Sequence, residues 1–269
     1  MATDRRAAIA IREALSVNIA ARLSSLDVYD EIDSTNSALL RLSPAQPGRF
    51  RACLADYQYS GRGRREREWV AGPGDCLCLS VSATTDATAV RPALSLCVGV
   101  QVVRQLEALG IDDVGLKWPN DIVHGGGKLG GILIELHQRG AQAHLVVGIG
   151  LNLGVRDVQR QQVSADGGLT PVGLQEITGD ETPGREQLAA AMITAIIESA
   201  GLLEHGDDRG WRADWERFDV LRGREVDVVD SNGRFRGIVE TIDEEGALLV
   251  SDGEYKHRLV AADVSVRPS

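Results

Sequence analysis

No apolar run in this chain approaches the ~18 residues that a membrane-spanning helix needs, so no transmembrane helix is expected. Arg12 and Glu13 interrupt the only N-terminal stretch that begins like a signal peptide, which argues against a secretory leader. Positive charge is scarce. Lys and Arg total 29 against 39 Asp and Glu, so the net charge is −10 and general attraction to nucleic acid is not expected. Cysteine is limited to Cys53, Cys76, Cys78 and Cys97. Cys76 and Cys78 alternate around Leu77 and would share one strand face, yet no second pair or nearby histidine completes a metal site. Buried reduced thiols and a cytoplasmic location are the expectation. The five histidines, His124, His137, His144, His205 and His257, show no metal spacing and no adjacent catalytic partner. There is no internal repeat and no low-complexity tract.

What is present fits a globular protein, with 43% hydrophobic and 25% charged residues. The 269 residues accommodate one large domain and a small one. The periodicity predicts an N-terminal helix over Asp4–Leu23, a strand over Val28–Ile32, and a turn at Asp33-Ser34 that caps a helix through Leu42. Strands follow at Ala52–Tyr57 and Asp75–Ala83, then an apolar helix at Arg91–Leu109. A strand at Val114–Lys117 leads into a polar loop. Leu129–His137 and Ala143–Leu151 read as an antiparallel hairpin. Helices are expected around Gly173–Thr178, Glu186–Leu203 and Trp211–Phe218. From Arg222 the texture changes to short strands at Glu225–Val229, Phe235–Ile242, Ala247–Val250 and Tyr255–Leu259, separated by Asp/Gly turns and read as a small barrel. The predicted class is α/β (α+β) with a mixed, largely antiparallel sheet, divided into a 1–220 domain, whose first 24 residues carry the N-terminal helix, and a 221–269 β-domain.

Three segments carry chemistry. Gly61-Arg-Gly-Arg-Arg-Glu-Arg67 lacks the third glycine of a dinucleotide fingerprint and the Gly-Lys-Ser/Thr ending of a P-loop. What remains is either a loop whose amides and guanidinium groups wrap an anion, or a solvated loop whose arginines pair with Glu66 and Glu68. Lys117-Trp-Pro-Asn-Asp121 closes an apolar strand with a held lysine. Asn120 and Asp121 then orient a ribose, the lysine or a magnesium ion, or form a structural turn. Lys128 precedes an apolar strand in which Gly130 and Gly131 imply a flat ligand against the backbone, or a bulge. Gly148-Ile-Gly150-Leu-Asn152 repeats that pattern. Together these residues can hold a nucleotide phosphate beside a small carboxylate, which points to ATP-dependent activation of a carboxylic acid.

The motifs Asp33-Ser-Thr-Asn36, Gln58 with Gly61-Arg-Gly-Arg-Arg65 and Trp69, Lys117-Trp-Pro-Asn-Asp121, Lys128-Leu-Gly-Gly-Ile132 and Gly148-Ile-Gly-Leu-Asn152 occur in the order seen in biotin–protein ligases. The resemblance is strong over Val28–Asn152, and the β-rich tail resembles that family's C-terminal domain. It implies the class II synthetase-like biotin–lipoate ligase fold with an SH3-like barrel. It further implies that Ser34, Thr35, Asn36, Gln58, Gly61, Arg62, Lys128, Gly131 and Gly148 bind biotin. Arg64, Arg67, Trp69, Lys117, Asn120, Asp121 and Asn152 would meet ATP or the adenylate. Arg64, Lys117 and Lys128 would act in catalysis, and Asp121 would touch Mg²⁺. The implied co-substrates are ATP with Mg²⁺ and biotin, with no tightly bound prosthetic group. The implied partner is a biotin carboxyl carrier protein or domain, and a homodimer is common in such folds. Two departures stand out: Glu66 replaces the family's usual glycine, and no winged-helix head precedes the first strand, so DNA binding is not expected. A lipoate or octanoate ligase of the same fold and a non-enzymatic vitamin-binding regulator are the competing readings.

Overall fold

The computed structural model describes residues 3–86, 93–165, 169–204, 208–230, 233–260 and 265–268. Asp4 caps α1 (Arg5–Ala14) by accepting hydrogen bonds from the amides of Arg6 and Ala7. The expected single N-terminal helix is in fact two. Leu15 and Ser16 turn extended, with ψ of 147° and 152°, and Ser16 Oγ caps α2 (Val17–Arg22) at 3.4 Å from Ile19 N. Leu15 stays buried across the break, with Ile11 and Ile19 on either side of it. The chain enters β1 (Leu23–Ile32) five residues earlier than the expected start at Val28. Ser34 then caps α3 (Thr35–Arg41), and β2 (Phe50–Gln58) and β3 (Cys76–Asp86) follow.

The apolar helix α4 (Leu94–Ala108) precedes β4 (Val114–Lys117). Its expected start at Arg91 lies outside the described residues. The polar loop after β4 contains a further short strand, β5 (Asp121–His124), before β6 (Gly127–Arg139) and β7 (Gln142–Asn152) form the expected hairpin. Sequence periodicity did not indicate α5 (Asp157–Ala165). The remaining helices, α6 (Leu174–Thr178), α7 (Arg185–Glu204) and α8 (Asp208–Phe218), fall where expected.

These strands build a seven-stranded sheet in the order β1-β2-β3-β7-β6-β5-β4, with only β1 and β2 parallel. Period-two alternation divides its labour between faces. Leu77, Leu79 and Val81 of β3 enter the main core with α1, α4, α7 and α8, so Cys78, Ser80 and Ser82 must face the other way. On that second face α3 covers only part of the sheet, packing Leu39 onto Cys53 and Val146. The uncovered part is where the site forms.

The C-terminal strands are β8 (Glu225–Asp230), β9 (Gly233–Ile242), β10 (Leu248–Ser251), β11 (Lys256–Leu259) and β12 (Ser265–Pro268). They form an antiparallel sheet in the order β11-β10-β9-β8-β12. The fifth strand was not expected. The small β-domain read from the sequence as a barrel is this five-stranded sheet, and among the described residues its edges β11 and β12 do not pair with each other. The turn at Asp230-Ser-Asn-Gly233 and His205 lie partly or wholly outside the described residues.

This small sheet is docked through the motif turn. Trp118, 1% exposed, donates from Nε1 to Gly246 O at 3.1 Å. Gly246 sits at φ +85° so close to Ala93 that a Cβ would meet its Cα at 2.9 Å. Asp243 ties the turn by accepting from the amides of Glu245 and Ala247, both at 2.9 Å.

The linker contributes a titratable element. Asp219 accepts from Leu221 N at 2.9 Å through Oδ1, while its buried Oδ2 has no hydrogen-bond partner. Burial pushes the carboxyl up to about 6. A raised native pKa means that the folded state binds the proton more tightly than the unfolded chain. The cost of the charge is therefore absent below about pH 4, grows as pH rises toward 6, and is complete above it. Asp219→Asn is expected to add about 1–3 kcal/mol of stability at pH 8 and little at pH 4. Urea unfolding at both pH values measures this; an equal effect at both would contradict it.

Candidate active site

The floor of the site is a chain of small polar groups at the start of α3. Thr35 N donates to Gln58 Oε1 at 2.7 Å, and Thr35 Oγ1 lies 3.0 Å from the same oxygen. Thr35 Oγ1 lies 2.6 Å from Ser80 Oγ, which reaches Asn36 Oδ1 at 2.5 Å. Asn36 Nδ2 donates to Glu135 Oε2 at 2.7 Å. Ser34 lines the same cavity, and its hydroxyl accepts from Ser37 N at 3.4 Å as the helix cap read from the sequence. Ser80 and Glu135 were not anticipated. Their alternation identified a strand but gave no partner across the sheet.

Glycines make room for this floor. A Cβ on Gly148 would collide with Asn36 Oδ1, and one on Gly150 would stand 2.7 Å from the Trp69 ring. Gly131 faces Trp69 and Lys128 at ordinary contact distance. Trp69 is fixed by Nε1 donating to Cys76 Sγ at 3.3 Å and by its amide donating to Gly61 O at 3.0 Å. Of the two readings of Gly130 and Gly131, the structure shows the bulge. The β5–β6 register shifts between Lys128 and Gly130, which is a bulge, and Gly131 lies open to the cavity.

The loop 61–69 folds back on itself. Gly63 N donates to Arg67 O at 2.7 Å, and Arg64–Glu66 makes one 3-10 turn with Arg65 at φ +55°. Arg64 donates to Asn120 Oδ1 at 3.0 Å, and Arg62 to Glu135 Oε2 at 2.7 Å. Burial, reinforced by Arg65, pushes the Arg64 guanidinium below the usual arginine value, with Asp121 opposing. Arg67 lines the cavity with an exposed side chain, while the Glu66 side chain lies outside what the structure describes.

The fourth wall is ionic. β4 pairs Lys117 with Asp121, and β5 pairs Asp121 with Gly131. Lys128 Nζ sits 2.5 Å from Asp121 Oδ1, and Lys117 Nζ sits 4.0 Å from Oδ2. One carboxylate thus holds two ammonium groups whose side chains are only 27% and 11% exposed. The net charge of this corner is positive, and low exposure strengthens its pull on an anion. Asn120 braces the turn, with Nδ2 donating to Ile132 O at 2.9 Å. Asn152 Nδ2 donates to Lys128 O at 3.1 Å, while its buried Oδ1 has no hydrogen-bond partner. Gln159 of α5 repeats the pattern: Nε2 donates to Val70 O at 2.8 Å and Oε1 is buried without a partner.

These walls enclose a cavity of about 750 Å³ that brings together the residues singled out from the sequence, except Gly61, which abuts it through Gln58 and Trp69. No described histidine lines it, whereas Cys78 does. Among the described residues no group of three or more His, Cys, Asp or Glu is placed to hold a metal. Asp121, the carboxylate read as the Mg²⁺ contact, is engaged by Lys128 and Lys117 in this structure.

The mixed sheet with its one-faced polar pocket and the small antiparallel sheet fall largely within two family matches, which together define the biotin and lipoate ligase class. The model of the Biotin/lipoate A/B protein ligase family matches residues 28–152, and that of the Biotin protein ligase C terminal domain matches residues 222–267. The Bifunctional ligase/repressor BirA of Escherichia coli (strain K12) is 35% identical over 246 residues, covering 90% of this chain and 74% of that protein. The Biotin--[acetyl-CoA-carboxylase] ligase of Paracoccus denitrificans is 32% identical, with coverage of 86% and 96%. The biotin protein ligase from Aquifex aeolicus in complex with biotin and ATP superposes with a TM-score of 0.74 at 26% identity, covering 91% of this chain and 100% of that one. The chain belongs to the biotin protein ligase family.

Gly150→Ala is expected to push the Trp69 ring out of place and weaken biotin binding at least about tenfold, with little loss of folding stability because the ring is only half-buried. Calorimetric titration alongside thermal melting checks this. Unchanged affinity would show that the ring does not shape the pocket.

Proposed function

We propose that the protein activates biotin with ATP and transfers it to a lysine of a biotin carboxyl carrier protein or domain. The observation that carries this reading is the junction of an uncharged polar pocket, built by Thr35, Gln58, Ser80 and Asn36, with the Lys117–Asp121–Lys128 corner. A fused ureido ring needs converging donors and acceptors; a linear acyl chain of a lipoate or octanoate substrate would want an apolar tunnel. The two buried amide oxygens of Asn152 and Gln159 would accept from the amine of a nucleobase. The four free, buried cysteines are in keeping with a reducing, cytoplasmic setting.

A carboxylate is a poor acyl donor at neutral pH. In this reading the biotin carboxylate attacks the α-phosphorus of ATP, a C(O)O–P bond forms, and the bond to pyrophosphate breaks. Two anions must approach one another, and Lys117, Lys128 and Arg64 offset their repulsion. Magnesium would arrive with the nucleotide's phosphates, where Asp121 is the nearby carboxylate that could meet it. The neutral amine of the acceptor lysine then attacks the acyl carbon, AMP leaves, and an amide remains. Between the two steps the anhydride must be kept from water, which the Gly61–Trp69 loop does by folding over the cavity.

Incubation with MgATP, biotin and a carrier domain is expected to raise the carrier's mass by one biotinyl group and release AMP. A binding module would release no AMP, and a lipoate ligase would prefer the other acid in a parallel reaction. Lys128→Ala is expected to raise the biotin KM about 10- to 100-fold while the ATP KM moves far less. The opposite split would reassign this lysine. Arg64→Gly, which loses the tie to Asn120, is expected to release the adenylate early while biotin-dependent pyrophosphate exchange survives in part. Equal loss of both activities would remove its role in retention.

A further inference from the structure

Glu135 lies at the rim of the site, on β6, and has no counterpart among the residues that the sequence motifs single out for binding or catalysis. Its Oε2 accepts from two donors on different elements, Asn36 Nδ2 of α3 and Arg62 Nη2 of the loop, both at 2.7 Å. Asn36 is 3% exposed, so its amide has no solvent to turn to. We infer that Glu135 is a positioning residue that sets the hydrogen-bond polarity of the pocket floor and ties the arginine loop to that floor. The inference rests on the biotin reading above.

The number of available hydrogens fixes the polarity of the floor. Three short oxygen–oxygen contacts, Gln58–Thr35, Thr35–Ser80 and Ser80–Asn36, have only the two hydroxyl hydrogens of Thr35 and Ser80 between them. A carboxylate can only accept, so Glu135 forces Asn36 to present its NH₂ outward and its carbonyl inward. Ser80 must then donate to Asn36 Oδ1. Its oxygen is left to accept from Thr35, and the Gln58 oxygen is satisfied by the Thr35 amide at 2.7 Å. The run Thr35→Ser80→Asn36→Glu135 has one direction, and its charged end polarises every link. Gln58 Nε2 consequently faces Gly61 and the cavity as a donor. An uncharged amide at position 135 could donate as well as accept, so Asn36 would lose its enforced orientation and the floor its single pattern.

The second arm concerns the loop. Arg62 is 42% exposed, so its ion pair alone contributes modestly to stability. Its consequence is geometric: the guanidinium and the Asn36 amide share one oxygen atom, so loop position and floor orientation are set at the same point. A ligand that orders the floor therefore favours the loop position compatible with it.

Wild type, Glu135→Gln, Arg62→Ala and the double variant are compared in steady-state adenylate formation and in hydrogen exchange of the ligand-free loop. Glu135→Gln is expected to raise the biotin KM about tenfold and leave the ATP KM within about twofold. It should also speed exchange at the amides of Gly63 and Trp69. In the Arg62→Ala background the same change should still raise the biotin KM, through Asn36, but speed loop exchange no further. Equal rises in both KM values, or unchanged loop exchange in Glu135→Gln, would overturn the inference. Should Glu135→Gln not fold, Glu135→Asp carries the same test, since a carboxylate one methylene shorter cannot reach both donors, and both readouts should move in the same directions. If the wild-type protein itself forms no adenylate, the functional reading fails, while the loop-exchange result still judges the link.

Discussion

The site depends on one carboxylate holding two ammonium groups. Lys117 and Lys128 would repel each other in a corner this shielded, and Asp121 offsets that repulsion from 4.0 and 2.5 Å. A lone lysine at such a site would lose much of its advantage to desolvation, and two without a carboxylate would drive one another out. With Asp121 the corner keeps a single net positive charge and a fixed geometry. Fixed geometry is what lets a charge act on a developing anion without reorganisation.

Backbone architecture supplies that geometry. Lys117 ends β4, Asp121 opens β5, and Lys128 precedes the bulge in β6, so the three charges are neighbours through strand pairing and not through loop contacts. The turn between β4 and β5 is braced from two sides, by Asn120 on Ile132 and by Trp118 on Gly246 of the small sheet. The C-terminal sheet is thus a structural part of the site. The same sheet that buries a Leu/Val face against α4 and α7 offers glycine and serine on its other face, and the pocket is the space those missing side chains leave.

Much of this was legible in the sequence, for a physical reason. The spacing of glycine, lysine and amide residues at strand ends reports local backbone requirements, so the motif residues converge on one cavity. What the sequence concealed depends on contacts across elements. Glu135 and Ser80 sit in ordinary alternating strands, and nothing local marks them as partners of Asn36. The helix α5 is rich in glutamine and carries Val158 exposed at its start, so its apolar periodicity is weak. The strand β5 is four residues long and bounded by polar turns, below the length at which alternation can be recognised. The break at Leu15-Ser16 is a cap competing with a helix, a contest that periodicity alone does not decide. The tail's strand texture was legible, whereas closure of a barrel depends on edge pairing, which no strand pattern encodes.

In the proposed reaction the Lys117–Asp121–Lys128 corner receives the acyl-phosphate junction. A crystal structure with a non-hydrolysable biotinyl-adenylate analogue tests it most directly. The ureido ring is expected among Thr35, Gln58 and Ser80 and the acyl-phosphate mimic within hydrogen-bond reach of Lys128 or Lys117, with Asp121 still on its lysines. An analogue bound with that junction away from both lysines would contradict it.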